Sequence, residues 1–327
     1  MKTISLKIIK SLIISVVIYF GIAVVLIIIG KPEKPAKNAN KIRFDELTRI
    51  DYKGIPELQT YTARDGKQLP YRYYPANSDK VLILLHGSGW HSRYFFTLAK
   101  FISSKNLAKV FTPDLRGHGI SPERRGDVDY IGQLEDDIVD LISMMHKDNP
   151  NAMVILGGHS SGGGLAIRFA GSKHGKLADV YLLLSPYLQY NAPTIRPNSG
   201  GWAEPYTKRI IGLILLNNIG IRWFNGLTVI EFNLPKEFRN GTETLSYSYR
   251  LNTSYAPDDY KKDLSTFTRP LIVIAGTADE AFYADKFEPE ISKFTKVIVK
   301  NLQGVTHMGV VVGPEVRPVI EKWIKKL

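Results

Sequence analysis

The residues with the clearest capacity for chemistry lie in Gly158-His159-Ser160-Ser161-Gly162. An apolar, β-branched run, Met153 to Leu156, precedes them and reads as a strand buried on both faces. Gly162, Gly163 and Gly164 follow, and from Leu165 to Ala170 the chain reads as a helix. In a strand, tight turn and helix of this kind, glycine two residues either side of Ser160 lets the turn close without a Cβ collision. The turn lifts the Ser160 hydroxyl above the sheet edge. It also aims the backbone N–H of Ser161 at whatever that hydroxyl attacks, from the positive end of the helix. A phosphate cradle fails on spacing: Gly-x-Gly-x-x-Gly has no register here, and Gly-x-x-x-x-Gly-Lys lacks its lysine. Ser161 fails as the nucleophile because the residue two before it is His159.

A serine nucleophile needs a base, an acid to orient that base, and donors for the developing oxyanion. His86-Gly-Ser-Gly89 follows an apolar run directly, so the N–H of Ser88 can join that of Ser161 as a pair of oxyanion donors; a plain strand-to-helix turn is also satisfied by those glycines. Asp279 ends Leu271-Ile-Val-Ile-Ala-Gly-Thr-Ala-Asp279, where a carboxylate can hold a histidine's Nδ1–H. Glu280 and Asp285 are neighbouring rivals. His307 stands between glycines in Gly304-Val-Thr-His307-Met-Gly309. The order serine, acid, histidine is a known triad order.

These groups require strand ends to hold them. Hairpin strands are expected at Leu58–Ala63 and Gln68–Tyr74 around Asp65-Gly66. A βα alternation then runs through strands Val81–Leu85 and Val110–Thr112, the central strand, Val180–Leu184, Leu271–Ala275 and Val297–Val299. Helices are expected at Ser92–Ser104, at Tyr130–His146 with Asp129 as N-cap, and at Glu315–Lys326. Such alternation implies a mostly parallel sheet covered on both faces, with functional groups at the carboxyl ends of its strands.

Ahead of this lies a different kind of sequence. Ser11 to Gly30 is uncharged, and at about 1.5 Å per residue it reaches roughly 30 Å, a bilayer's hydrocarbon thickness. Lys2, Lys7 and Lys10 lead it, but the apolar stretch is longer than a signal peptide's and no small-x-small cleavage site follows. An uncleaved single-pass anchor is expected. Lys31, Lys34, Lys37, Lys41 and Arg43 crowd the other flank, so flanking charge does not orient it. The catalytic domain is expected on the outer face because long domains translocate largely regardless of charge. Net charge is +12, which suits anionic lipid or wall polymer, and no nucleic-acid motif accompanies it. With no cysteine, disulfides and thiolate chemistry are excluded.

Together, His86-Gly-Ser-Gly-Trp-His-Ser-Arg-Tyr94, Asp114-Leu-Arg-Gly-His-Gly-Ile-Ser121, Gly158-His-Ser-Ser-Gly162, Gly276-Thr-Ala-Asp279 and Gly304-Val-Thr-His307 resemble the α/β-hydrolases, in particular the monoacylglycerol lipase and lysophospholipase-like branch. The resemblance covers about Leu58 to Leu327. It implies the α/β-hydrolase fold, Ser160 as nucleophile, His307 as base, Asp279 as orienting acid, and Ser88 and Ser161 as oxyanion donors. It implies no metal and no organic cofactor. His118 is expected to shape the fold. Ser161 departs from the apolar residue that often follows the nucleophile. The family also inserts a helical cap, here at about 189–265. The cap's apolar run Ile210–Leu216 is either its own core or a wall for an acyl chain, with Leu213 and Leu216 as the substrate-binding candidates.

The expected organisation is therefore leader and anchor 1–30, linker 31–53, and α/β-hydrolase domain 54–327. The expected activity is hydrolysis of a carboxylic ester, of monoacylglycerol or lysophospholipid type. A peptidase or amidase on the same triad, and a non-catalytic membrane-tethered binding protein, are the alternatives.

Overall fold

A computed structural model describes residues 2–30 and 42–327. The first part of the expected linker, 31–41, lies outside the described residues. From Ile42 on, the rest is not a linker: Ile42, Phe44 and Leu47 are buried, and the Phe44 ring packs against Trp90, Trp202 and Phe238.

The chain-order strands are β1 Leu58–Thr62, β2 Gln68–Tyr74, β3 Lys80–Leu85, β4 Lys109–Pro113, β5 Met153–His159, β6 Val180–Leu184, β7 Ala203–Pro205, β8 Thr228–Phe232, β9 Ser246–Ser248, β10 Leu271–Gly276 and β11 Ile298–Leu302. Eight of them form one sheet in the order β1-β2-β4-β3-β5-β6-β10-β11. β1, β2 and β4 pair antiparallel; every later neighbour is parallel. Burial explains the sequence of the central strands. Val81–Leu85 and Val180–Leu184 are buried at every position because helices cover both faces. Parallel pairing puts the carboxyl ends of β3, β5, β6, β10 and β11 along one edge, where the chemistry-bearing residues were expected.

Two local expectations change. The helix after β3 opens as a 3₁₀ turn, Ser92–Phe95, before the α-helix Phe96–Ser104. The next helix is Gln133–Asp148, and Gly132 at φ 103°, not Asp129, stands at its N-cap. Asp129 is engaged instead by Arg124 and by the Gln133 side chain.

The insertion between β6 and β10 is not all-helical. Besides the helix Thr207–Asn218 it carries a three-stranded antiparallel sheet, β7-β8-β9. The N-terminal helix, Lys2–Ile29, is long and apolar enough to cross a membrane.

Candidate active site

β5 runs through His159, and the helix Ser161–Gly171 begins one residue after Ser160. Ser160 itself sits at φ 54°, ψ −121°, a conformation that L-residues avoid unless their surroundings impose it. Those surroundings are visible. A Cβ at Gly158 would stand 2.2 Å from the Gly162 carbonyl oxygen, and one at Gly162 would stand 2.1 Å from the Leu85 carbonyl oxygen. Neither position can hold a side chain while the helix stays pressed on β3 and β5. The Ser160 N–H donates to Leu184 O at 3.0 Å, pinning the turn to β6.

At the ends of β10 and β11, Asp279 and His307 meet. His307 Nδ1 lies 3.0 Å from Asp279 Oδ2, and the Ala281 and Phe282 N–H groups donate to Asp279 Oδ1 at 2.8 and 2.9 Å. With its carboxylate fixed at both oxygens, Asp279 holds the imidazole as the Nδ1–H tautomer and leaves Nε2 free to take a proton. Burial alone would lower the His307 pKa, but attraction and a hydrogen bond to Asp279, with help from Glu280, outweigh it and raise it. The rival acids are elsewhere. Glu280 accepts the His307 backbone N–H at 2.9 Å, and Asp285 is an exposed neighbour of Lys286.

His159 connects this pair to the elbow. Its ring lies 4.6 Å from the His307 ring, its Nε2–H donates to His307 O at 3.0 Å, and its Nδ1 accepts from the Tyr94 hydroxyl at 3.0 Å. That hydroxyl in turn accepts the Gly87 N–H at 2.8 Å. On the other side of the loop, the Tyr247 hydroxyl accepts the Gly89 N–H at 2.7 Å and bonds His118 Nε2 at 2.6 Å. Trp202 Nε1–H donates to Ser88 Oγ at 2.9 Å. The N–H groups flanking Ser88 are thus each taken by a tyrosine, while those of Ser88 and Ser161 have no acceptor among the described residues. Gly87 lies close against Ser160: a Cβ there would be 3.2 Å from Ser160 Cβ.

Tyr94, Trp202 and Tyr247 were missed from the sequence. They come from three separate segments, and nothing in their local pattern distinguishes them from core aromatics. His118 is buried as a structural group, its pKa pushed well down chiefly by burial.

A strained serine, a histidine tautomerically fixed by a buried acid and two free N–H groups form the constellation of acyl transfer. A family model described as serine aminopeptidase, S33, matches residues 76–288. The chain belongs to that family. It is an α/β-hydrolase of the monoacylglycerol lipase branch, a serine hydrolase of lipase and esterase type. Human monoglyceride lipase is 33% identical over 245 residues, covering 70% of this chain and 75% of that protein. Among solved structures, a soluble variant of monoglyceride lipase from Saccharomyces cerevisiae, bound to a substrate analog, superposes with a TM-score of 0.64 at 20% identity. It covers 85% of this chain and 98% of its own. The monoacylglycerol lipase of Paleococcus ferrophilus gives 0.62 at 18% identity over 80% and 99%. At such identities these structural likenesses speak for the fold.

In this α/β-hydrolase the two substrate-binding candidates sit inside the cap. Leu213 and Leu216 are fully buried, and Leu213 packs with Val229 and Tyr249, with Ile27 of the N-terminal helix against them. Ile211 and Ile214 of the same run are exposed.

Proposed function

We propose that the chain is a membrane-anchored hydrolase of lipid-like carboxylic esters, with Ser160, His307 and Asp279 as its triad and the Ser88 and Ser161 N–H groups as its oxyanion donors. The observation that carries this is the buried Asp279–His307 pair, 3.0 Å apart, beside an elbow that holds its serine at φ 54°. Ser160 Oγ attacks the ester carbonyl carbon while its proton passes to His307 Nε2. The two N–H groups receive the oxyanion, at a site where preorganised donors act more strongly than water. The imidazolium then protonates the leaving alcohol, and water, deprotonated by the same histidine, releases the acid from the acyl-enzyme.

The substrate class rests on relatives named monoglyceride lipases, on the N-terminal helix and on the chain's net charge of +12. The family's description as a serine aminopeptidase keeps an amide substrate in play. A panel of monoacylglycerols, lysophospholipids and aminoacyl amides separates the two. Fluorophosphonate labelling tests the site itself: Ser160→Ala should abolish labelling and ester hydrolysis, whereas Ser161→Ala keeps its backbone N–H and most of both. Labelling that survives Ser160→Ala would refute the assignment.

A further inference from the structure

The N-terminal helix does not stand apart from the enzyme. It runs antiparallel against the cap helix Thr207–Asn218, with Tyr19 level with Leu215, Ala23 level with Gly212, and Ile27 level with Arg209. The approach is close because side chains are absent where the helices cross. A Cβ at Gly212 would stand 2.6 Å from Ala23 O and 2.8 Å from Ile27 Cγ1, and one at Gly30 would stand 2.3 Å from Arg209 N. Small residues at such crossings are how helices associate in lipid, where apolar burial drives little.

Each helix also satisfies a carbonyl near the other's C-terminal end, where the helix's own ladder runs out. The Tyr19 hydroxyl donates to Leu215 O at 2.9 Å, and Ile219 N–H, the usual donor to that carbonyl, has turned to Leu216 O. Arg209 Nε–H donates to Ile27 O at 3.2 Å and Arg209 Nη1–H to Thr228 O at 2.7 Å. Ile27 packs on the small cluster of Leu213, Val229 and Tyr249, so the cap's own core includes a residue of the anchor.

The outer side of this pair is apolar. Ile211, Ile214, Ile219, Trp223 and Phe224 of the cap are exposed, Trp223 by 88%, and the N-terminal helix that packs beside them exposes Phe20, Ile22, Val25 and Ile28. The polar residues of the hairpin do not oppose lipid contact equally. Asn217 and Asn225 exchange amide hydrogen bonds at 2.7 and 2.9 Å, which removes most of the cost of placing them near hydrocarbon. Arg222 is exposed beside Trp223, a charge that bars the hairpin from a second crossing.

We propose that the N-terminal helix is a structural part of the cap, and that the two helices form one membrane-embedded unit. Lipid acyl chains of a single leaflet cover Ile211, Ile214, Ile219, Trp223 and Phe224. The paired stretch, Tyr19 to Gly30, is about 16 Å of helix, roughly one leaflet's hydrocarbon depth. The cap helix beside this patch is bonded to an apolar helix of span length, and that identifies the occupant as lipid. The inference rests on the membrane-anchored reading above. It also goes beyond it, because a mere tether needs no fit to the cap.

The chain has no cysteine, so introduced thiols report cleanly. In native membranes carrying the full chain, Tyr19→Cys with Leu215→Cys should give an intrachain crosslink with a short bifunctional thiol reagent. Its yield should be several-fold above that of Val17→Cys with Leu215→Cys, since Val17 is exposed and faces away. Reconstituted in phosphatidylcholine vesicles with brominated acyl chains, the unmodified chain should lose a component of tryptophan emission that Trp223→Phe removes. A chain that stays in the membrane but crosslinks no better than the Val17 control overturns the pairing and leaves the anchor reading standing. Quenching that Trp223→Phe leaves unchanged overturns the lipid-facing cap. A mature chain lacking its first thirty residues overturns the anchor reading and the inference together.

Discussion

Glu280 Oε2 accepts the backbone N–H of His307 at 2.9 Å, whereas its neighbour Asp279 takes the His307 ring at 3.0 Å. Two adjacent carboxylates thus divide one histidine between them, one holding its main chain and the other its tautomer. Arg43 Nε–H completes the Glu280 side at 3.2 Å. Asp279→Asn should therefore lower kcat for a nitrophenyl ester by roughly 10⁴-fold, because the amide cannot hold the Nδ1–H tautomer. Glu280→Gln still offers an oxygen to the His307 N–H and should cost less than about tenfold, the order of one weakened hydrogen bond. Asp285→Asn should change nothing. A crippled Asp285→Asn, or a near-normal Asp279→Asn, would reassign the acid.

The same pair sets a pH dependence. Burial works to lower the His307 pKa, and the two carboxylates overcome it, so the net displacement is above the ordinary 6.5. Attack needs neutral His307, so kcat/KM should rise with pH along a limb centred above 6.5. Removing a negative charge destabilises the imidazolium and moves the limb down. The residual activity of Asp279→Asn, and to a smaller extent the activity of Glu280→Gln, should titrate at lower pH than the parent. A limb that stays fixed in both variants would mean another group titrates.

Stability should respond to acid for a separate reason. His86 Nε2 accepts the Leu115 N–H at 3.0 Å, so it must be a lone pair, and burial lowers this pKa from 6.5 to about 3. His118 and His159 are likewise pushed well down, chiefly by burial. A folded pKa below the unfolded one means the unfolded chain binds more protons, so stability falls as pH drops below 6.5. His307, with its folded value raised, is protonated in both states there and contributes no slope. Each buried histidine can supply up to about 1.4 kcal/mol per pH unit. His86→Gln still offers an acceptor to the Leu115 N–H and does not titrate, so thermal unfolding of the detergent-solubilised chain should show a shallower loss between neutral pH and about pH 4.5. An unchanged slope would place the acid sensitivity elsewhere.

Much of this site was legible because its constraints are local. The positions of Gly158 and Gly162 follow from a turn that no Cβ tolerates, Asp279 comes just past the wholly buried β10, and His307 stands in a glycine-flanked loop after β11. What could not be read depends on segments that meet only in the fold. Asp129 has the side chain of an N-cap, yet Arg124 and Gln133 engage its carboxylate while the distant Arg250 holds its carbonyl, and the helix starts at Gln133. Ile42, Phe44 and Leu47 looked like linker because three apolar residues among polar ones carry no period, and only Trp90, Trp202 and Phe238 reveal why they are buried. Leu213 reads equally well as core or as acyl wall until Val229, Tyr249 and Ile27 are seen around it.

The residues that tie the cap to the oxyanion loop give the last prediction. Trp202 and Tyr247 both belong to the insertion, and they hold Ser88 Oγ and the Gly89 N–H on either side of the Ser88 N–H. As a proposed oxyanion donor Ser88 must keep that N–H aimed at the forming oxyanion, and a displaced donor costs transition-state binding with little change in ground-state affinity. Trp202→Phe retains an aromatic ring against Phe232 and Phe44 but loses the indole N–H. It should lower kcat by about tenfold, the order of one net hydrogen bond, with KM nearly unchanged. Tyr247→Phe should be worse, because it leaves the buried Gly89 N–H unsatisfied, a penalty of about 1–3 kcal/mol, and also removes the hydroxyl bonded to His118 Nε2. The readout is the split between kcat and KM on a short ester that does not reach the cap, taken alongside the melting temperature. If both variants melt earlier but turn over short esters at the parental rate, these side chains only stabilise the fold. If kcat falls while the melting temperature holds for Trp202→Phe, the cap positions the oxyanion loop.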